Sequence, residues 1–409
     1  MEKKCRFCGT PLKHTFADLG LSPLANCFIR EADLNKKEYF YPLHAYVCEQ
    51  CLLVQLEEIE APERIFSEYA YFSSYSASWL DHARRYAAAM IRRFPLDKQS
   101  LVVEIASNDG YLLQYFQADG VPVLGIEPAA NVAEVAAAKG ILTLVRFFGT
   151  KLAAELAAQG IAADLLIGNN VLAHVPELND FVAGMKMILK PHGLITMEFP
   201  HLLKLMQFNQ FDTIYHEHFS YFTLRFVQNL LAAHGLKLFD AEELPTHGGS
   251  LRVFACHQED ALRTVSHSVP DLCRQEEEQG LASLETYRNF DEKIKKVKRD
   301  LLTFLIQIKE QDKTIAGYGA PAKGNTLLNY CGVRTDLLDY TVDRNPYKQG
   351  TYLPGTRIPV FSPERIGATR PDYVFILPWN LKTEIAAQLQ EIRSWGGKFI
   401  VPIPEVQVF

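Results

Sequence analysis

The stretch "IYHEHFSYFT", residues 214 to 223, sets Tyr215, His216, Glu217 and His218 in consecutive positions beside Phe219, Tyr221 and Phe222. Crowding ionisable groups among aromatic rings is costly unless they are bonded or used. A phenol, imidazoles and a carboxylate are the groups that carry general acid–base chemistry near neutral pH. An imidazole already titrates close to the pH at which a base works, so no large pKa shift is required of it. A metal site is the weaker alternative. His216 and His218 can share a strand face, but no third ligand accompanies them, and His216 alone reads as structural.

A second constellation is the pair of knuckles "CRFC" and "CEQC". A CxxC turn lets two thiolates reach one ion, and two such turns complete the tetrahedral sulfur set that zinc prefers. Cys5, Cys8, Cys48 and Cys51 are the expected ligands of a structural zinc, since nothing nearby supplies an open catalytic position. His14 and His44 are the substitutes should one thiol fail, and Cys27 is expected in the core.

A third lies in "VVEIASNDGYLL", where a buried strand runs into a helix and carries Glu104, Asn108, Asp109 and Gly110. In open α/β sheets ligands bind in the crevice outside the carboxyl ends of the strands. One glycine stands where a dinucleotide loop carries three, so pyrophosphate is not expected there. Glu127 ends the next strand in "GIEP", where a carboxylate can accept both hydroxyls of a ribose. Phe147 in "RFFG" can offer a face to adenine, and "GNNVLAHV" leaves Asn169 and Asn170 at a further strand end. Ribose, adenine and an amino-acid tail without phosphate describe S-adenosylmethionine, the expected cofactor. A general Rossmann-like binder is the competing reading.

The fourth is "GYGAPAKGNTLLNY", residues 317 to 330, a Gly-rich turn between strand and helix. Its small residues let backbone N–H groups approach an anion at a helix start, and Lys323 adds a cation. The GK[ST] ending of a phosphate-binding loop is absent. A nucleotide diphosphate is the functional reading, with Tyr318, Gly319, Lys323 and Asn325 in the turn. A tight turn packed on the neighbouring domain is the plain alternative. "HGGSLRV", with His247 and Arg252, carries the same two readings.

These groups need elements to hold them. Residues 77 to 94 carry apolar side chains at helical spacing with an Arg-rich face. From residue 101 buried strands alternate with helices through "GLITMEFP", which predicts a parallel sheet covered on both faces. "LKLFDAEELPTHGGSLRVFAC" predicts two antiparallel strands. Residues 273 to 310 read as a long charged helix packed on one side, and a second strand–helix alternation follows it. In the latter, a helix is expected over "LKTEIAAQLQEIRSWGG" and a closing strand at "KFIVPIP".

Apolar residues make up 48% and charged residues 22% of the 409, ordinary for a soluble chain of two or three domains. The formal charge of −6 argues against nucleic acid as the main partner. No apolar run is long enough to span a bilayer, and the first residues lack a signal-peptide core. No membrane partner and a cytoplasmic location are the expectations.

The chain resembles the sugar C-methyltransferases of deoxysugar biosynthesis, which act on nucleotide-linked 4-keto-deoxysugars. "CRFCGTPL", "LGLSPLANCF", "CEQCLLVQL", "YAYFSSYSASW", "NVLAHVPEL", "YHEHFSYFT" and "GYGAPAKGNTLLNY" carry the resemblance over essentially its whole length. It implies an α/β fold: a zinc-binding domain over 1–68, a class I methyltransferase (Rossmann-like) core over 69–272, and a C-terminal Rossmann-like domain with its helical connector over 273–409. It implies transfer of a methyl group from S-adenosylmethionine to C-3 of the sugar through an enolate. His218 matches the family's proposed base. Glu217 would orient it or hold the sugar, Tyr215 would donate to the substrate, and His174 would polarise the keto oxygen. Tyr71 and Tyr75 are both candidates for a further active-site tyrosine. The resemblance also implies a deoxythymidine diphosphate, with Asp343, Asn345 and Lys348 nearby. The alternatives are a different keto, oxygen or nitrogen acceptor on the same fold, or a nucleotide-sugar-binding protein without catalysis. A monomer fits, and the oligomeric state stays open.

Overall fold

The computed structural model describes residues 3 to 61 and 72 to 409. Tyr71 and the expected boundary at 68/69 lie outside the described residues. The first unit is built on β1 (His14–Ser22), β2 (Ile29–Arg30), β3 (Tyr41–Val47) and β4 (Val54–Leu56). β1, β3 and β4 pair antiparallel and turn Phe16, Leu43, Ala45, Val47 and Val54 into the core. Phe16 stacks on Phe290, ring centroids 4.9 Å apart, which seats this sheet on the helix Phe290–Lys309.

The helix Ala77–Arg93 starts at Ser76, whose side chain accepts the Trp79 N–H. It buries Ala83, Tyr86, Ala87 and Met90, spaced along one face. Next come β5 (Val102–Ile105), β6 (Val123–Ile126), β7 (Thr143–Leu144), β8 (Ala163–Asn169), β9 (Leu189–Pro200), β10 (Ser220–Tyr221), β11 (Leu236–Leu244) and β12 (Ser250–His257). One seven-stranded sheet runs β11-β12-β9-β8-β5-β6-β7. β5 to β9 within it are parallel, whereas β11 and β12 pair antiparallel as the sequence predicts. The strand order reverses between β5 and β8, and that switch point is where such sheets bind ligands.

The C-terminal unit has β13 (Ile315–Tyr318), β14 (Tyr340–Val342), β15 (Thr351–Tyr352), β16 (Val360–Phe361), β17 (Tyr373–Ile376), β18 (Lys398–Val401) and β19 (Gln407–Val408). Its six-stranded sheet runs β16-β14-β13-β17-β18-β19 and switches between β13 and β17. Among the described residues no helix is long and apolar enough to cross a membrane.

Three features differ from expectation. The connector begins earlier, at Ser268, and is three helices, Ser268–Glu278, Leu284–Arg288 and Phe290–Lys309. Gly280, with φ +82°, turns the chain after the first of them. The last expected helix ends at Gln388 and continues as a tighter turn over Gln390–Trp395. Most consequential, the units exchange strands. β10 pairs with β4 in the N-terminal sheet, and β15 pairs with β2. Both pairings are two residues long, too short to leave a periodic signal.

Candidate active site

The segment 214 to 223 is drawn out by β10. Ser220 and Tyr221 lie opposite Gln55 and Val54, and the Leu56 N–H donates to the Phe219 carbonyl at 3.0 Å. Ahead of that strand the chain turns, with the His218 N–H donating to the Tyr215 carbonyl at 2.8 Å. The turn lays the Tyr215 ring against the His218 ring, centroids 4.0 Å apart. His218 Nδ1 is 2.9 Å from the Thr213 carbonyl, so it carries the proton and donates. That leaves Nε2 as acceptor for the Tyr215 hydroxyl at 2.7 Å. Burial, then the neighbouring His174 ring, hold the His218 imidazole well below its ordinary pKa. Enclosure beside the His174 ring thus favours the neutral imidazole, the form in which Nε2 can accept.

His174 stands edge-on to His218, ring centroids 4.8 Å apart. Burial pushes it down to about 4, and it donates to the Glu217 carbonyl. The Glu217 carboxyl accepts the Asn26 side-chain N–H at 2.6 Å, and burial lifts its pKa to about 7. His216 points elsewhere: its Nε2 donates to the Pro42 carbonyl at 3.2 Å, a tie to β3 that fits the structural reading.

Tyr215, Glu217, His218 and His174 line one cavity of about 1400 Å³. Pockets for a single drug-sized molecule run to roughly 300–1,000 Å³, so there is room for two ligands side by side. Its walls come from three units: Leu24 to Phe28 of the first, the strand ends around Asn108, Glu127 and Asn169 of the second, and Lys323, Lys348 and Asn380 of the third. The switch points of both parallel sheets therefore open into the same space.

On the side of the larger sheet, Asn108, Glu127, Phe147, Asn169 and Asn170 all line the cavity. Glu127 is held by the backbone, one oxygen accepting the Asn108 N–H and the other the Ala129 N–H, both at 2.9 Å. Each carboxylate oxygen has a second lone pair, so the group can still accept a pair of vicinal hydroxyls. Ala106, Asn108 and Gly110 take φ of +57°, +50° and +73°, the left-handed backbone that a glycine-rich loop would adopt. The loop has the form of a nucleoside-binding turn with a single glycine, Gly110. These residues fit the adenosyl group of S-adenosylmethionine.

Other expected cofactor residues sit behind that wall. The Asp109 carboxylate accepts the Ser74 N–H at 3.2 Å. Gly110 is a packing position, since a Cβ there would lie 2.4 Å from Ile141 Cδ1. Glu104 is buried in β5, its carboxyl pushed well above the usual range by burial, with Glu127 and Asp109 adding to it.

On the C-terminal side Lys323 and Lys348 line the cavity. Lys323 Nζ donates to Asn380 at 2.6 Å and lies 4.5 Å from the Trp379 ring centroid. Lys348 Nζ donates to the Ala320 carbonyl at 2.8 Å. Burial lowers the pKa of both. Tyr318, Gly319, Asn325, Asp343 and Asn345 serve the turns instead. Asp343 accepts the Ala320 and Asn345 N–H groups, Asn325 donates to the Ala25 carbonyl, and the Tyr318 hydroxyl donates to Gln388. A Cβ on Gly319 would strike Pro378. Arg252 reaches the cavity, but its guanidinium is bonded to Glu198 and Glu242. Tyr75 is 61% exposed and turned outward.

Asn26, Trp79 and His82 also stand on the wall, and the sequence motifs single out none of them. Cys27, expected in the core, is exposed there. A polar side chain at the tip of the apolar turn "PLANCF" is the signal that could have found Asn26.

Away from the cavity, Cys5, Cys8, Cys48 and Cys51 bring their sulfurs within 4.8 Å of one another. Separations of 3.5 to 3.7 Å match a tetrahedron with zinc–sulfur bonds of about 2.3 Å. Gln55 donates to Cys5 Sγ at 3.3 Å and accepts the Arg6 N–H, orienting the cluster.

Three family models match in succession: a zinc binding domain over residues 5–66, a methyltransferase domain over 79–241, and a C-methyltransferase C-terminal domain over 245–404. C-methyltransferase NovU of Streptomyces niveus is 37% identical over 405 residues, 99% of this chain and 96% of NovU. Magnesium protoporphyrin IX methyltransferase (ChlM) from Synechocystis PCC 6803 with bound SAM is 15% identical, with a TM-score of 0.34 over 44% of this chain and 79% of that one. The PH0226 protein from Pyrococcus horikoshii OT3 is 16% identical, with a TM-score of 0.38 over 48% of this chain and 97% of its own.

Proposed function

The chain belongs to the C-methyltransferase family, S-adenosylmethionine-dependent enzymes with an N-terminal zinc-binding domain, and on that premise we propose that it methylates C-3 of a nucleotide-linked 4-keto-deoxysugar. The observation that carries this reading is the Tyr215–His218 hydrogen bond inside a cavity large enough for cofactor and sugar together. S-adenosylmethionine, when bound, supplies an electrophilic methyl group. The chain must supply the carbon nucleophile, which means removing a weakly acidic proton beside a ketone.

The bond from Nδ1 to the Thr213 carbonyl selects the tautomer in which His218 Nε2 can take that proton. A ketone oxygen entering the cavity gives the Tyr215 hydroxyl a second acceptor. When the hydroxyl turns to it, Nε2 is released and the phenol meets the charge growing on oxygen. His174, neutral and beside the pair, is placed to polarise the same oxygen. Lys323 and Lys348 are the cations available for a nucleotide diphosphate, taken here as deoxythymidine diphosphate. Partial burial strengthens their hold on phosphate, because water competes less there.

Incubating the protein with S-adenosylmethionine and a panel of nucleotide 4-ketosugars should yield one product heavier by a methyl group, labelled at C-3 by NMR. Methylation only at oxygen or nitrogen would reject the reading. Glu127 is assigned to the ribose hydroxyls. Glu127→Ala should weaken S-adenosylmethionine binding roughly tenfold to a hundredfold, the worth of charge-assisted hydrogen bonds. Nucleotide-sugar affinity should stay nearly intact, and calorimetry with each ligand separately checks both halves.

A further inference from the structure

We propose that Asn26, carried by the zinc-binding unit, is a positioning residue that holds the Glu217 carboxyl in the cavity and makes that unit a working part of the active site. The Asn26 Nδ2 donates to Glu217 Oε1 at 2.6 Å across a sequence separation of 191 residues, and both side chains line the cavity. Asn26 is itself held on two sides. Within its own turn the Cys27 N–H donates to the Leu24 carbonyl at 3.1 Å and the Phe28 N–H to the Asn26 carbonyl at 3.0 Å. From the C-terminal unit, Asn325 donates to the Ala25 carbonyl at 2.6 Å, and β2 pairs with β15 just beyond. Glu217 is pinned by β10, which belongs to the same N-terminal sheet. Donor and acceptor are thus fixed by independent contacts, which is how a site holds one geometry.

The charged and titratable groups around the carboxyl are few. Lys348 acts on it through space, Cys27 lies within its field, and His174 bonds its backbone carbonyl. Lys348 Nζ is itself committed to the Ala320 carbonyl and lies 4.0 Å from Asp343. The amide of Asn26 is therefore the direct donor to an acid that burial alone would hold protonated. An amide N–H stabilises the carboxylate, so its loss raises the carboxyl pKa further. At neutral pH that leaves Glu217 protonated, presenting an O–H donor and only a weaker, uncharged acceptor to a sugar hydroxyl. This consequence for turnover rests on the proposed sugar chemistry, whereas the titration itself does not.

The test is a carbon-13 NMR titration of the full zinc-loaded chain, labelled at the glutamate carboxyl carbons. The Glu217 signal is assigned by its absence in Glu217→Gln. Asn26→Ala should raise the proton affinity of Glu217 about tenfold to a hundredfold. Asn26→Asp, which places a second carboxyl at the same distance, should raise it at least as much. The acid limb of kcat/KM should move upward with it, and zinc content should be unchanged. Should Asn26→Ala fail to fold, Asn26→Ser keeps a turn-forming side chain too short to reach the carboxyl. A Glu217 midpoint that stays put in the folded variants overturns the inference, even if their melting temperatures fall. Failure of the proposed sugar chemistry would leave this titration where it is.

Discussion

Cys48→Ser is expected to yield a chain that binds no zinc and retains less than about a hundredth of its activity, although none of the four clustered cysteines lines the cavity. Structural zinc in small domains contributes on the order of 10–16 kcal/mol of apparent folding free energy. A whole domain is typically stable by only about 5–15 kcal/mol. The N-terminal sheet cannot absorb that loss, and the sheet holds the site. Gln55 bonds Cys5, lies opposite Ser220 of β10, and β10 fixes the turn of Tyr215 and His218. A displacement of about 1 Å in such a constellation can cost a hundredfold in rate. Metal analysis, activity and limited proteolysis of the purified variant check the three parts. Zinc-free protein with full activity would show that the cluster is dispensable.

His218→Asn is expected to lower turnover by about 10²–10⁴-fold, the usual worth of a general base. The asparagine amide can replace Nδ1 as donor to the Thr213 carbonyl, so the turn survives while the acceptor at Nε2 is gone. Melting temperature and the affinities for both ligands should change little. A structural histidine would behave in the opposite way, losing stability first and activity in proportion. Tyr215→Phe should also slow turnover. It leaves Nε2 uncovered, however, and so tests the phenol's role at the ketone oxygen separately from the imidazole's role at carbon.

How much of this was legible in the chain depended on the range of the interaction concerned. The zinc ligands were readable because each CxxC turn declares itself within four residues, and the fold then brings the two turns together. The strand–helix rhythm was readable because strands buried on both faces are mostly apolar, as Val102, Val103 and Ile105 of β5 and Leu165, Leu166 and Ile167 of β8 are. The "YHEHF" cluster stood out as polar groups amid aromatic rings. By contrast, Asn26 meets Glu217 only because two-residue strands from distant parts of the chain pair, and nothing local announces such a pairing. The loop "GYGAPAKGN" showed where an anion could approach but not which side chains face it. Lys323 does, while Tyr318 and Asn325 turn to Gln388 and Ala25. Motif reading also gave no access to burial, which decides the state of His218. Enclosure and the neighbouring His174 ring push that imidazole well below its ordinary range, and neither is visible in a local motif.

Proton removal from carbon by His218 is the step on which the proposed methylation depends, and one measurement isolates it. A nucleotide 4-ketosugar is incubated in deuterium oxide with the enzyme and a cofactor analogue that cannot give up its methyl group, and the C-3 proton signal is followed by NMR. The wild type should wash deuterium into C-3 steadily, and His218→Asn should slow that exchange by about 10²-fold or more while still binding the sugar. Exchange by His218→Asn at the wild-type rate would contradict the account and move the base to another group on the cavity wall, with His174 the first to be replaced.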